Sequence, residues 1–263
     1  MAMPTTEIWK EIAHEFWNTW NFPNCIGAID GKHIVIQAPP KSGSQFFNYK
    51  KTFSVVLLAL VDAQYNFIAV DIGSYDKNSD GGILAHSKFG KALDEGKLNI
   101  PDDTELPGTT NKAPYVIVGD EAFPLKRNLL RPFPGKQLDD DVKRIFNYRL
   151  SRARRCSENV FGILVQKFRI YNRRIQSKLE NVDKIVLATC VLHNFIKKHE
   201  NTVSTYKHST EINNISTTTQ VSTLENMPAQ GGNATQQAFA VREIYKTFFS
   251  SSAGSVSWQN LKI

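Results

Sequence analysis

Two stretches, SVVLLALVDAQYNFIAVDIG (54–73) and YVIVGDEAF (115–123), constrain this chain more than any other feature of it. The first holds two runs of β-branched and apolar residues parted by the turn-like DAQYN, and predicts a hairpin of adjacent strands. The second is a short, continuously apolar run that stops at Gly119-Asp120, the pattern of a buried central strand. CIGAIDGKHIVIQAP (25–39) adds a strand pair or one bent strand, with Asp30-Gly31 at its turn.

Helical patterns surround these runs. Ile8, Ile12, Phe16 and Trp20 recur every four positions behind Thr5 and Thr6, and predict a capped amphipathic helix. Ile83, Leu84, Phe89 and Leu93 keep roughly helical spacing up to Gly96. Three aspartates, Asp139 to Asp141, open a long or kinked helix carrying Ile145, Leu150, Val160, Phe161, Leu164, Val165 and Phe168, with Gly162 as its kink or close-packing point. NVDKIVLATCVLHNFIKKHE (181–200) is a second helix, apolar on most faces and therefore buried. Strands followed by a helix, a strand and two helices predict a mixed α/β layer fold. The chain divides into an N-terminal helix (1–22), a core (23–200), a low-complexity linker or insert (201–237) rich in Ser, Thr, Asn and Gln, and a C-terminal helix and tail (238–263).

The charge is uneven. Net charge is +7 and the pI about 9.2. Between Val142 and Lys178 there are eleven Lys or Arg and a single carboxylate, Glu158. Such clustering points to an anionic partner such as nucleic acid. Three scattered cysteines, Cys25, Cys156 and Cys190, indicate neither a disulfide framework nor a zinc site and suit a reducing compartment. No apolar run of about 18 residues, the length a membrane helix needs, occurs.

Asp30 and Asp120 each follow an apolar run and sit beside glycine, which holds a carboxylate on rigid backbone yet lets a ligand approach. Alone, each reads as a turn residue. With Glu158 on the following helix, three carboxylates on separate elements could converge at one edge of a sheet. They would repel one another unless a cation neutralised them, and hard oxygen ligands suit Mg²⁺ or Mn²⁺. A pair of such ions about 3.5–4 Å apart drives in-line attack at phosphorus. The surrounding cations would then serve a DNA backbone.

CIGAIDGKHI, VGDEAFPL and RRCSENVFGILVQKFRI, in that order and with 37 residues between Asp120 and Glu158, resemble the DDE catalytic core of PIF/Harbinger-type transposases and of the nuclease-like host proteins derived from them. SYDKNSDGGIL, IVLATCVLHNFI and the terminal GSVSWQ extend the resemblance. It implies an RNase H-like fold, with Asp30 on the first strand, Asp120 after the fourth, and Glu158 on the helix that follows. It also implies a divalent-metal-dependent endonuclease of the nucleus. Members usually carry a DNA-recognition region ahead of the core, whereas about 20 residues precede NFPNCIGAID here. The chain is then a shortened copy, or it borrows recognition from a partner, which in this family is typically a Myb/SANT-like DNA-binding protein.

Several other residues have two readings. Asp80 is either a helix cap or a group beside the metal ligands. Lys32 is an exposed strand lysine or a phosphate contact, and His193 is a hydrogen-bonded core histidine. Glu121 points away from Asp120 if the strand continues. Arg154 and Arg155 lie on the Glu158 side of their helix. They and Arg152 are read as DNA contacts, since pairing with one glutamate cannot account for eleven cations. Two rivals to the nuclease stand: a non-enzymatic DNA-binding or adaptor protein that keeps the fold, and a metal phosphohydrolase of small molecules.

Overall fold

A computed structural model describes residues 1–44, 46–48, 50–74, 80–204, 224–226 and 234–261, with residues 74, 80, 201–204 and 224–226 as backbone alone. The elements run α1 (Thr6–Trp20), β1 (Cys25–Val35), β2 (Ser54–Val61), β3 (Phe67–Ser74), α2 (Asp80–His86), α3 (Lys88–Asp94), β4 (Thr104–Glu105), β5 (Lys112–Ala113), β6 (Val116–Val118), β7 (Leu129–Leu130), α4 (Asp141–Lys167), α5 (Leu179–Ser204), β8 (Leu224–Asn226) and α6 (Gln236–Ser250).

The main sheet has the order β3-β2-β1-β6-β7. β1, β2 and β3 pair antiparallel, and β6 and β7 join parallel to β1. β8 pairs antiparallel with Lys32 to Ile34 of β1, beyond the point where β6 ends. β4 and β5 form a separate two-stranded ribbon. This mixed sheet flanked by helices is the α/β fold that the element order predicts, and it is consistent with the RNase H-like arrangement that the resemblance implies.

Of the two readings of 25–39, the single strand holds: β1 is continuous, with no turn at Asp30-Gly31. Asp30 and Gly31 sit mid-strand opposite Ala59 and Leu58 of β2, and all but the last residue of β1 are buried. Continuous pairing with β2 and burial supply enough hydrogen bonds and apolar contact to override the local turn preference. The β2/β3 hairpin forms as expected, its turn held by Asp62, which accepts the backbone N–H of Gln64 (2.9 Å) and of Asn66 (2.8 Å).

Thr5 caps α1 by accepting the N–H of Ile8 at 3.4 Å, and Trp9, Ile12, Ala13 and Phe16 form its buried face. The segment predicted as one helix over 83–93 is two. Ser87 breaks it and caps α3 by accepting the N–H of Gly90 at 2.8 Å. Gly90 cannot carry a side chain, because a Cβ there would lie 1.8 Å from the Leu84 carbonyl oxygen. α4 is a single 27-residue helix capped by Asp140, which accepts the Lys143 N–H at 2.6 Å. No kink or close packing falls at Gly162, which is exposed with nothing near its Cβ position. Most of the predicted linker lies outside the described residues, as does the side chain of Asp80, although α2 starts at that residue.

α4 is tied to the C-terminus by a buried arginine. The fully buried Arg149 donates to the carbonyls of Gly254 (3.0 Å) and Asn21 and to Gln259 Oε1 (2.9 Å), with its guanidinium 4.5 Å from the Phe249 ring centre. Three elements thus share one set of donors. Arg149→Leu leaves those acceptors without their partner, and urea unfolding is expected to show a loss of about 3 kcal/mol or more.

His193 on α5 is also buried, with Nε2 at 2.8 Å from the Tyr65 carbonyl and Nδ1 without a hydrogen-bond partner. Burial, against the Tyr65 bond, holds its pKa below the ordinary 6.5. As pH falls from 6.5 through the depressed folded value, the unfolded chain binds the proton first, so stability is lost on acidification. Denaturant titrations from about pH 7 to about pH 5 are expected to show this loss, and His193→Gln, which keeps a donor, to flatten it.

Candidate active site

The sheet register brings two carboxylates together. Ala28 of β1 pairs with Val118 of β6, and Asp30 and Asp120 each lie two residues beyond that parallel pair. Gly119 allows the approach, since a Cβ there would fall 2.9 Å from the Phe123 ring and 3.1 Å from Ile29 Cγ2. α4 packs across β1, β2 and β6 with its Val160, Phe161 and Leu164 face, which leaves Arg154 and Glu158, one turn apart, at the flank of that face.

Asp30 is 4% exposed. Its Oδ1 accepts the Gly31 N–H at 2.9 Å, while its buried Oδ2 has no hydrogen-bond partner. Two cations stand against that oxygen: Lys32 Nζ at 3.4 Å and Arg154 Nη1 at 3.7 Å. The other end of the Arg154 guanidinium, Nη2, donates to Glu158 Oε1. One arginine therefore bridges two of the three carboxylates.

Burial and neighbouring charge act on these groups together. Burial pushes the Asp30 pKa up; Lys32 and Arg154 pull it down, and the charges of Asp120 and Glu158 raise it again. Burial also raises Asp120, against the Ala122 N–H that its Oδ1 accepts at 2.9 Å and against the Arg154 and Lys32 charges. For Arg154 burial disfavours the charge, but Asp30, Glu158 and Asp120 outweigh it and hold the guanidinium above its ordinary pKa. The three carboxylates and two cations form one electrostatic neighbourhood at the middle of β1.

A divalent cation fits this site in chemistry. The donors are carboxylate oxygens, one of them buried without a hydrogen bond, and such oxygens suit a hard ion. In spacing the site is not closed. Among the described residues no three His, Cys, Asp or Glu side chains stand close enough together to hold a metal ion. The Arg154 guanidinium reaches Asp30 with one nitrogen and Glu158 with the other.

The remaining sequence candidates fall in different places. Lys32 is buried rather than exposed, because both faces of β1 are covered; its ammonium lies 5.6 Å from the Phe161 ring centre. Arg152 stacks 4.5 Å from the Trp258 ring centre and reaches the Thr19 carbonyl at 3.5 Å. Arg155 is exposed, and so is Glu121, beside Asp120. The Arg152–Trp258 stack and the Arg149–Gln259 bond account for the terminal SVSWQ motif, whose part in bracing α4 sequence reasoning missed. Only the motif itself signalled it.

The family described as DDE superfamily endonuclease matches residues 29–194, a span from β1 into α5 that contains all three carboxylates. The chain belongs to this family. Its relatives include the Arabidopsis thaliana proteins named "Protein ALP1-like" (33% identical, over 71% of this chain and 46% of the relative) and "Antagonist of like heterochromatin protein 1" (26%, over 74% and 50%). The mouse protein named "Putative nuclease HARBI1" is 25% identical over 72% of this chain and 51% of its own length. The chain thus spans about half the length of the curated relatives it matches. No solved structure matches it. As in the resemblance read from the sequence, the Harbinger-derived nucleases and this chain share one DDE core.

Because a Cβ on Gly119 would press on the Phe123 ring and Ile29, Gly119→Ala must move one or the other. Thermal unfolding of that variant is expected to show a loss of about 1–2 kcal/mol, a small overpacking penalty.

Proposed function

We propose that this chain is the catalytic core of a divalent-metal-dependent DNA endonuclease or strand-transfer enzyme. The observation that carries the reading is geometric: Arg154 of α4 spans Asp30 on β1 and Glu158 on its own helix, and Asp120 lies beyond the β1–β6 pair at the position matching Asp30. Asp30, Asp120 and Glu158 would hold Mg²⁺ or Mn²⁺. When bound, such ions supply an activated water or hydroxyl and stabilise the leaving oxygen at phosphorus.

The chain's own groups bind and orient the DNA. Lys32 and Arg154 set positive charge beside the carboxylates, where a scissile phosphate would lie. Arg155, Arg169, Arg173, Arg174 and Lys178 are exposed and add positive charge on α4 and on the segment that follows it. The segment bearing the last three is fastened to the far end of β1, where Ile175 donates to the Val35 carbonyl and accepts the Gln37 N–H, both at 3.0 Å. Neutralising phosphates along this line gives salt-dependent affinity without sequence choice. A separate Myb/SANT-like protein would then supply target choice, with the complex acting in the nucleus.

A second reading, a chromatin adaptor that keeps the fold, is favoured by the arginine lying across the carboxylates and by the Arabidopsis relative named for antagonism of a heterochromatin protein.

Nicking of supercoiled plasmid in Mn²⁺ separates the two. The wild-type chain is expected to nick, and Asp30→Asn, Asp120→Asn and Glu158→Gln to lose nicking by about 10³-fold or more while they still bind DNA. Wild-type protein that binds DNA but never nicks it would establish the adaptor.

A further inference from the structure

The arginine across the carboxylates needs its own account. Arg154 has a side chain only 19% exposed, yet it lies one residue from the exposed Arg155 on the same helix. Water solvation has been given up at this position, and the two nitrogens that meet carboxylates do so unequally. Nη2 makes a hydrogen bond to Glu158, whereas Nη1 approaches Asp30 Oδ2 only to 3.7 Å and leaves that buried oxygen without a hydrogen bond. A buried carboxylate oxygen in that state is neutralised by charge but not saturated by donors. A ligand that coordinates at about 2.0–2.6 Å would bind it better.

Charge gives the same answer. Lys32 and Arg154 fall one charge short of the three carboxylates, so the cluster is near balance with no metal present. A divalent cation on Asp30 and Glu158 would meet the Arg154 guanidinium at the same two carboxylates, and repulsion between the two cations disfavours holding both.

We propose that Arg154 is an internal counter-cation that competes with the divalent metal for Asp30 and Glu158, so that metal loading requires the guanidinium to leave. This rests on the reading of the three carboxylates as metal ligands. Arg154 stabilises the metal-free protein, and its charge sets the metal concentration at which the site fills. Swung outward from α4, the same side chain faces the surface that carries Arg155, where a DNA phosphate can take over as its partner. DNA and metal binding then support each other, because metal frees the arginine for phosphate and phosphate draws it off the carboxylates.

The test is calorimetric titration of the full chain with Mn²⁺ in the absence of DNA, which needs no catalysis. Arg154→Met, which keeps the length of the stem and loses the charge, is expected to bind Mn²⁺ at least about tenfold more tightly than wild type. Its melting temperature should be lower without Mn²⁺ and rise further on addition. Arg154→Lys, whose ammonium cannot span two carboxylates as a guanidinium does, is expected to fall between them and serves if the methionine variant does not fold. Equal or weaker Mn²⁺ binding in these variants, with binding abolished by Asp30→Asn, overturns the competition and leaves the metal site standing. No Mn²⁺ binding in any of the chains, the Arg154 variants included, overturns both this proposal and the metal-dependent reading beneath it.

Discussion

An ionised carboxylate in the middle of a strand covered on both faces is costly unless cations are held against it. Asp30 is that carboxylate, and much of the molecule can be understood as the arrangement that keeps it there. Lys32 reaches it from two residues along the same strand, so it arrives on the same face of the sheet. Arg154 reaches it from α4, and can do so only because the apolar face of α4 lies on β1 and β2. The 27-residue helix is in turn braced at Arg149 and Arg152 by the chain's last described segment. A distant tail and a mid-strand aspartate are thereby connected through one rigid helix.

The same arrangement bears on chemistry. Burial raises the pKa of Asp30 and Asp120, and the neighbouring guanidinium and ammonium offset part of that rise. The buried Asp30 Oδ2, held by charge but by no hydrogen bond, is an oxygen of the kind a hard divalent ion takes. Membership of the DDE superfamily endonucleases agrees with such a site. The basic exposed segment after α4, fastened to the end of β1, lies on the strand that carries Asp30, so the surface that would follow a phosphate backbone and the carboxylates that would act on it share one rigid support.

Much of the fold was legible in local pattern. The β2/β3 hairpin, the buried β6, the capped α1 and the long α4 all come from apolar periodicity and caps, which act over a few residues. Asp30-Gly31 misled, because a turn-favouring pair was outweighed by its continuous pairing with β2 and by burial. The break at Ser87 was missed for a similar reason: it depends on the close approach of Gly90 to the Leu84 carbonyl, which leaves no trace in hydrophobic spacing. Lys32 looked exposed because a lysine usually is; whether its strand was central or at an edge decided the matter.

By itself the sequence named the candidates for chemistry: Asp30, Asp120 and Glu158 on three elements, at a spacing that resembles a DDE core, the last of them in an otherwise cationic stretch. Those choices lie in residue identity and order, and need no coordinates. Only the tertiary structure decided what stands between them. The parallel register of β1 and β6 sets Asp30 beside Asp120, and the docking of α4 turns Arg154 inward onto two carboxylates while Arg155 stays in solvent. Sequence spacing places both arginines on the Glu158 side of the helix; which of them is buried depends on where the sheet lies, and that is fixed by long-range packing.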